Sequence, residues 1–208
     1  MPSQGTLFIV SGPSGSGKST VASSVLSEVR GVSFSISYTT RAPRGNERDG
    51  VEYNFVSEAR FRELLQEDAL LEWALVYGHY YGTSRRLVDE SVARGEDVLL
   101  DLDVQGAGAI RSQRRASVSV FILPPSYQSL RERLERRALD KHYVIEQRLR
   151  IACKEVKHYR DYDYIIINDE LSRAVEELKA IILASRCRMS SQVDSAKSVL
   201  STFGGVDG

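Results

Sequence analysis

The chain is short of cysteine, net charge and long apolar runs. Its two cysteines, Cys153 and Cys187, are too few for a disulfide framework or a four-ligand zinc site, so a reducing compartment is the simplest interpretation. Lys and Arg number 28 and Asp and Glu also 28, which argues against a nucleic-acid coat or a polybasic membrane binder. No apolar stretch approaches a membrane span, and the N-terminal residues lack a signal-peptide pattern. We therefore expect a cytoplasmic protein that binds neither nucleic acid nor membranes.

Lysine is scarce among the basic residues, since the chain has 22 arginines and 6 lysines. Arginine presents a rigid fork of N–H donors that matches phosphate and carboxylate groups. The bias therefore suits recognition of anions, although a codon bias would produce it equally well. A hydrophobic content of 42% and a charged content of 27% are those of an ordinary globular protein.

Short apolar runs alternate with helical patterns, which predicts an α/β fold with a mostly parallel sheet. We expect buried strands over 7–10, 98–100, 118–123 and 164–167, and helices over 18–30, 127–137, 144–159 and 171–188. The region 34–94 differs: half-polar strands over 33–37, 52–56 and 71–77 surround one helix over 58–67. It holds five of the ten tyrosines and the only tryptophan, Trp73, which predicts a small mixed α/β insertion. The Ser- and Gly-rich residues 190–208 predict a flexible tail.

The strongest motif follows the first predicted strand and fits the phosphate-loop pattern G-x-x-x-x-G-K-[ST]. Its glycines allow successive backbone N–H groups to surround a phosphate, and the following helix adds its dipole. Lys18 would reach the β- and γ-phosphates of a nucleotide, and the Ser19 hydroxyl would hold Mg²⁺. The motif alone leaves open a hydrolase, a phosphotransferase and a binding module. The residues that we assign to ATP here are Gly12, Pro13, Ser14, Gly15, Ser16, Gly17, Lys18, Ser19 and Thr20.

Three further clusters resemble the guanylate kinase family. They are Ser-Ile-Ser-Tyr-Thr-Thr-Arg-Ala-Pro-Arg over 35–44, Glu72-Trp73 leading to Gly-His-Tyr-Tyr-Gly-Thr over 78–83, and Leu-Asp-Leu-Asp-Val-Gln-Gly over 100–106. Asn168-Asp169 after the last predicted strand also resembles the family. The resemblance extends from about Gly5 to Arg188. It implies a P-loop nucleoside monophosphate kinase fold and transfer of the γ-phosphate of ATP to GMP, and to dGMP, giving ADP and the nucleoside diphosphate.

The residue chemistry of these clusters suits GMP. Arg41 and Arg44 can converge on one dianionic phosphate, and two phenols can donate to its remaining oxygens. The Glu72 carboxylate can accept both the N1–H and the N2–H₂ of guanine, whereas adenine would leave it unpaired. The resemblance adds Ser37, Thr83 and Asp103. The predicted GMP-binding residues are Ser37, Arg41, Arg44, Tyr53, Glu72, Tyr81, Thr83 and Asp103.

Asp101 and Asp103 alternate at the end of a predicted buried strand, so we expect their side chains on opposite sides. The carboxyl end of such a strand is where ligands bind in α/β proteins. We assign Asp101 to the Mg²⁺ side, together with Ser19, and Asp103 to the GMP side.

Residues 130–150 carry 7 basic and 4 acidic side chains. They indicate either a salt-bridged helix face or a lid whose arginines close over the ATP phosphates. The resemblance gives that second role to Arg133, Arg137 and Arg148, and Arg136 and Ala138 stand where family members often have glycine. It also makes Asn168 a candidate for adenine. The predicted catalytic residues are Lys18, Arg41, Arg133, Arg137 and Arg148.

The three histidines, His79, His142 and His158, suggest neither a catalytic triad nor a metal site. A general base is not required, because the acceptor phosphate is already ionised at neutral pH. The predicted division is a core of 1–33, 95–129 and 151–189, a GMP-binding insertion of 34–94, and a lid of 130–150. Two alternatives stay open: another nucleoside monophosphate kinase, and the non-catalytic guanylate kinase-like domains of scaffold proteins. The sequence leaves the oligomeric state open.

Overall fold

A parallel five-stranded sheet forms the centre of the computed structural model, which describes residues 4–113, 117–136 and 142–203. The strands are β1 Leu7–Ser11, β2 Val32–Phe34, β7 Asp97–Asp101, β8 Ser117–Leu123 and β9 Tyr164–Ile167. The strand order is β2-β7-β1-β8-β9, and every neighbouring pair is parallel. The predicted α/β class with a mostly parallel core is thereby confirmed.

Helices cover both faces of this sheet because alternate residues of each strand point to opposite sides. Phe8 and Val10 of β1 belong to one apolar cluster, which includes residues of α1 (Lys18–Glu28) and α7 (Leu171–Arg186). Leu7 and Ile9 belong to a second cluster with residues of the helices on the other face. Those helices are α3 Arg85–Ala93 and α4 Val104–Gln113.

A smaller mixed sheet lies within the region predicted as an insertion. Its elements are β3 Tyr38–Thr39, β4 Asn54–Phe55, α2 Glu58–Gln66, β5 Leu70–Val76 and β6 His79–Ser84, and the strand order is β4-β3-β6-β5. Phe61 and Leu64 of α2 are buried against this sheet. Helix α3 also lies in the region, where the sequence predicts one helix only, and it covers the parallel sheet instead. The hairpin between β5 and β6 turns at Tyr77 and Gly78, whose φ angles are 51° and 82°, as a two-residue turn of type I′ requires.

Two helices form the region predicted as a lid, α5 (Tyr127–Arg136) and α6 (His142–Glu155). They pack through a small apolar cluster that includes Leu134 and Leu149. A 3₁₀ helix over Val156–Asp161 follows α6, so the helix predicted over 144–159 changes its winding near its end. Arg137 and Ala138 lie outside the described residues.

The C-terminal segment contains a helix that the sequence analysis did not predict. Helix α8 covers Met189–Leu200 and a 3₁₀ turn covers Ser201–Phe203, so this part of the predicted tail is helical; residues 204–208 lie outside the described ranges. The Ser191 hydroxyl donates to the carbonyl of Ser185 at 3.1 Å, and the Gln192 amide donates to that of Arg186 at 2.8 Å. Polar contacts with the end of α7 thus hold a helix whose apolar pattern is weak. Among the described residues, no helix has the length and apolar character needed to cross a bilayer.

Candidate active site

The phosphate loop runs from β1 to α1 and wraps around its own lysine. The Lys18 ammonium donates to the carbonyls of Gly12 at 2.9 Å and Pro13 at 3.3 Å. At Gly12, φ is 142° and a Cβ would lie 2.2 Å from the carbonyl oxygen of Ile122, so only glycine fits. The loop therefore holds one cation, bound to its own carbonyls, at the carboxyl edge of the sheet, where the motif predicts a phosphate site.

Two side chains support this loop from behind. The Asn168 amide donates to the carbonyl of Ser16 at 2.8 Å. Arg133 of α5 donates to the same carbonyl at 3.2 Å and to the carbonyl of Asn168 at 2.7 Å. Asn168, the candidate for adenine, is only 5% exposed and is engaged in holding the loop. Its contacts are structural ones that the resemblance alone did not indicate.

Ser19 and Asp101 meet beside the loop, as the sequence predicts. The Ser19 hydroxyl donates to the Asp101 carboxylate at 2.5 Å. The reason is topological: β7 is the parallel neighbour of β1, and Asp101 pairs in register with Val10 immediately before the loop. The pair therefore offers a hydroxyl and a carboxylate oxygen at one point.

Glu72 is a buried carboxylate at the base of the insertion, with 6% of its surface exposed. It lies on β5 opposite Thr83 of β6, whose hydroxyl donates to it at 2.6 Å. Burial raises the pKa of Glu72 to about 7, and the negative charge of Asp103 contributes in the same direction. Ionising the Glu72 carboxylate therefore costs free energy unless a ligand donates hydrogen bonds to it.

Asp103 lies at this site, but its backbone is not part of the strand as predicted. Strand β7 ends at Asp101, so the two aspartates do not alternate along one strand. Asp103 lies before α4, and its carboxylate accepts the N–H of Gly106 at 2.9 Å, as an N-cap residue does. The prediction that the two aspartates alternate along one strand is therefore wrong, because the strand ends at Asp101 and α4 begins at Val104.

Gly106 makes the close approach of α4 to Glu72 possible. A Cβ on Gly106 would lie 2.5 Å from a Glu72 carboxylate oxygen and 3.2 Å from an Asp103 oxygen. Two residues further along the same helix, a Cβ on Gly108 would meet nothing within 4 Å. Helix α4 therefore contacts the Glu72 carboxylate at Gly106, where any side chain would displace that carboxylate.

This difference predicts opposite outcomes for two alanine substitutions in α4. Gly108→Ala should stabilise the protein by roughly 0.5–1 kcal/mol, since it only removes backbone freedom. Gly106→Ala should destabilise it by about 1–3 kcal/mol and raise KM for GMP by about tenfold or more, because the methyl group displaces Glu72. Urea unfolding and steady-state kinetics of both variants test this, and similar KM values for the two would contradict it.

Arg41 is buried, with 6% of its surface exposed, and its guanidinium pairs with Glu47 through both Nη atoms at 2.9 and 3.0 Å. The fork that we expected to receive a phosphate thus receives a carboxylate of the same loop in this structure. The Arg41 Nε also donates to the Tyr81 phenol at 3.2 Å. Arg44, three residues along, is exposed and faces the cavity.

A cavity of about 570 Å³ joins the phosphate loop to the insertion. The described residues that were predicted for the site but do not line this cavity are Pro13, Ser16, Thr20, Arg41, Thr83, Arg133 and Asn168. Arg148 of α6 lies on the wall, with its guanidinium carbon 5.7 Å from the Tyr77 ring centroid. The predicted residues that line it are Gly12, Ser14, Gly15, Gly17, Lys18, Ser19, Ser37, Arg44, Tyr53, Glu72, Tyr81, Asp101, Asp103 and Arg148.

Sequence reasoning missed several cavity residues with polar or titratable side chains, namely Tyr77, His79, Tyr143, Gln147 and Glu155. Tyr77 occupies the hairpin turn, and burial raises the pKa of its phenol to about 12. Burial also raises the pKa of Glu155, although the nearby charge of Lys18 opposes this. Tyr77-Gly78 between two apolar runs was a usable turn signal, whereas nothing in the helical pattern of α6 distinguished Glu155.

Comparisons with known proteins point to one family. The family model described as "Guanylate kinase" matches residues 4–185. A guanylate kinase of Koribacter versatilis is 50% identical over 190 residues, covering 90% of this chain and 82% of that protein. A guanylate kinase of Geobacter sulfurreducens is 43% identical and covers 97% and 99%. The crystal structure of guanylate kinase from Anaplasma phagocytophilum superposes with a TM-score of 0.83 at 32% identity, covering 99% of each chain.

Proposed function

Because the chain belongs to the guanylate kinase family, we propose that the cavity between the phosphate loop and the insertion holds both substrates of its reaction. The chain is an ATP:GMP phosphotransferase, which moves the γ-phosphate of ATP to GMP and gives ADP and GDP. The family resemblance identified from the sequence is confirmed. The roles of individual residues that follow are our proposals.

The observation that carries the proposal is the buried Glu72 carboxylate, which lines the cavity and accepts a hydrogen bond from the Thr83 hydroxyl. Guanine offers two adjacent donors, N1–H and N2–H₂, which one ionised carboxylate can accept together. Adenine offers an acceptor at N1 and would leave a buried charge without a partner, at a cost of several kcal/mol. We assign base recognition to Glu72, Thr83, Ser37 and Asp103, and the GMP phosphate to Arg41, Arg44, Tyr53 and Tyr81.

On the ATP side, Lys18 and the N–H groups of the loop bind the β- and γ-phosphates in our proposal. Arg133 already contacts the loop through the carbonyl of Ser16, and Arg148 lies on the cavity wall. Both can neutralise the charge that spreads over the transferring phosphoryl group. We assign Arg137 to the same task on the family resemblance, although it lies outside the described residues.

The oxygen donors Ser19 and Asp101 suit a magnesium ion. The 2.5 Å hydrogen bond between them supports this assignment by placing both oxygens together, and hard oxygen ligands are what Mg²⁺ prefers. Within the described residues no cluster of three or more His, Cys, Asp or Glu side chains could hold a metal. Such a sparse protein shell suits Mg²⁺, which takes its other ligands from water and phosphates. When bound, the ion would neutralise charge between the β- and γ-phosphates.

We propose that alignment and charge neutralisation, with no general base, supply the catalysis. The nucleophile is an oxygen of a phosphate that is already ionised, so the protein has to place it in line with the γ-phosphorus. Closure of the 34–94 insertion and the 130–150 lid onto the core would exclude water, which otherwise hydrolyses ATP. We place the reaction in the cytoplasm, where ATP is supplied and cysteines such as Cys153 and Cys187 stay unpaired.

A coupled assay of ADP formation tests the assignment of the base. The purified chain with ATP and Mg²⁺ should turn over GMP, and dGMP, at least about 10²-fold faster than AMP, UMP or dTMP at equal concentration. Omission of Mg²⁺ serves as the control for the metal. Comparable rates with AMP would contradict the role that we give to Glu72.

A further inference from the structure

The Arg41 guanidinium is almost fully engaged by the protein itself. Besides its two bonds to Glu47, it donates through Nη1 to the carbonyl of Ala42 at 2.8 Å and through Nε to Tyr81 at 3.2 Å. Four of its five N–H hydrogens therefore have acceptors among the described residues. A side chain held in this way is fixed before any ligand arrives.

Glu47 is in turn held by the backbone of its own loop. Its carboxylate accepts the N–H of Arg44 at 2.8 Å, and its own N–H donates to the carbonyl of Arg44 at 3.1 Å. Partial burial would raise the pKa of Glu47, but the hydrogen bonds from Arg41 and Arg44 outweigh it and lower the pKa. The carboxylate is thus ionised at neutral pH and is part of the turn. A group that only occupied the Arg41 guanidinium until a phosphate arrived would not need these hydrogen bonds to the backbone.

The groups that face the cavity depend on this pair. The Tyr81 phenol oxygen accepts from Arg41, so its own hydrogen is available as a donor. The Tyr53 ring lies 5.3 Å from the Arg41 guanidinium carbon and 5.8 Å from the Tyr81 ring. Burial raises the pKa of Tyr53 to about 12, so this phenol also keeps its hydrogen. Both phenols and Arg44 line the cavity.

We propose that Glu47 is the positioning residue of the GMP phosphate subsite. Its carboxylate fixes Arg41, which orients the two phenols, and it fixes the backbone of Arg44, which presents the second guanidinium. Glu47 acts through these residues and makes no contact with the substrate. The proposal rests on the GMP kinase activity and adds to it a residue that recognises no group of GMP directly.

Glu47→Gln tests the proposal, with Glu52→Gln as a matched control. The Glu52 carboxylate accepts the N–H of Arg48 at 2.7 Å in the same loop, but it holds no side chain of the site. We expect Glu47→Gln to raise KM for GMP by about tenfold or more while kcat and KM for ATP change by less than about twofold. Glu47→Asp, which keeps the charge but not the reach, should lie between Gln and wild type.

Guanosine, which lacks the phosphate, provides the second readout. Its inhibition constant against GMP should change by less than about twofold in Glu47→Gln, since base recognition is untouched. Equal losses for GMP and guanosine, a lowered KM for GMP, or an equal effect of Glu52→Gln would each overturn the proposal. A wild-type chain without GMP kinase activity would instead contradict the function.

Discussion

Replacing Glu72 by glutamine is expected to lower kcat/KM for GMP by about 10²- to 10⁴-fold. The amide offers one acceptor and one NH₂ donor, so one of the two guanine donors would face another donor in a buried site. KM for ATP should stay within about twofold, because the phosphate loop is not touched. Steady-state kinetics with both substrates varied measure the two effects separately. A kcat/KM for GMP within about tenfold of wild type would contradict base recognition by Glu72.

The same substitution should stabilise the protein at alkaline pH when GMP is not added. Burial raises the pKa of Glu72 from 4.5 to about 7, so the folded state holds this proton more tightly than the unfolded state does. Stability from this group is therefore fully present below about pH 4.5, falls as the pH rises, and is lost above about pH 7. The difference amounts to about 3 kcal/mol, which glutamine would not lose.

Urea unfolding at pH 5 and pH 8 measures this difference. The free energy of unfolding of wild type minus that of Glu72→Gln should decrease from pH 5 to pH 8. Taking this difference cancels the titration of the other groups. Glu63→Gln serves as the control, since Glu63 is a half-exposed carboxylate on α2 paired only with Arg60. Parallel pH dependences of wild type and Glu72→Gln would show that burial does not oppose ionisation of Glu72. The free energy of unfolding that is lost when Glu72 ionises is thus a measurable cost of binding guanine through a buried carboxylate.

The phosphate loop could be predicted because its chemistry lies in consecutive residues. Glycines, a lysine and a serine at fixed spacing are what backbone binding of a phosphate requires, and Lys18 and Ser19 are found where the motif puts them. Asp101 could be predicted as its partner because parallel strands end at one edge of a sheet. Asp103 was predicted from the family resemblance, but its placement by strand alternation was wrong, since the sequence pattern does not show where the strand ends and the helix begins.

Residues that act through others could not be predicted in the same way. Glu47 lies six positions from Arg41 in a loop without periodicity, and only the folded turn brings the two charges together. Asn168 carried a family signal, yet its contact with Ser16 crosses 152 positions of the chain. Such contacts are properties of the tertiary structure, and no local pattern carries them.

The elements missed along the chain have a similar explanation. Helix α4 contains Gly106 and Gly108, which lower helix propensity, but Gly106 is required for the approach to Glu72. Strand β6 contains Gly82, where a Cβ would lie 2.8 Å from the Leu70 side chain. In both elements the local sequence disfavours the structure because tertiary packing requires glycine, against the Glu72 carboxylate in α4 and against apolar side chains in β6. Tertiary packing thus overrides local propensity at these positions.

Replacing Lys18 by alanine is expected to reduce kcat by at least about 10³-fold while leaving the chain folded. The ammonium is the one positive charge carried by the loop itself, and without it the charge on the transferring phosphoryl group is poorly neutralised. Alanine suits the first turn of α1, and the two carbonyls that the ammonium leaves can bind water. The coupled assay measures kcat, and calorimetric binding of GMP, expected to change by less than about twofold, shows that the site is intact. Lys179→Ala, which removes a surface ion pair with Glu28, is the control and should keep wild-type turnover. Turnover of Lys18→Ala within about tenfold of wild type would contradict the mechanism, whereas a wild-type chain that binds GMP without turnover would make it a non-catalytic relative.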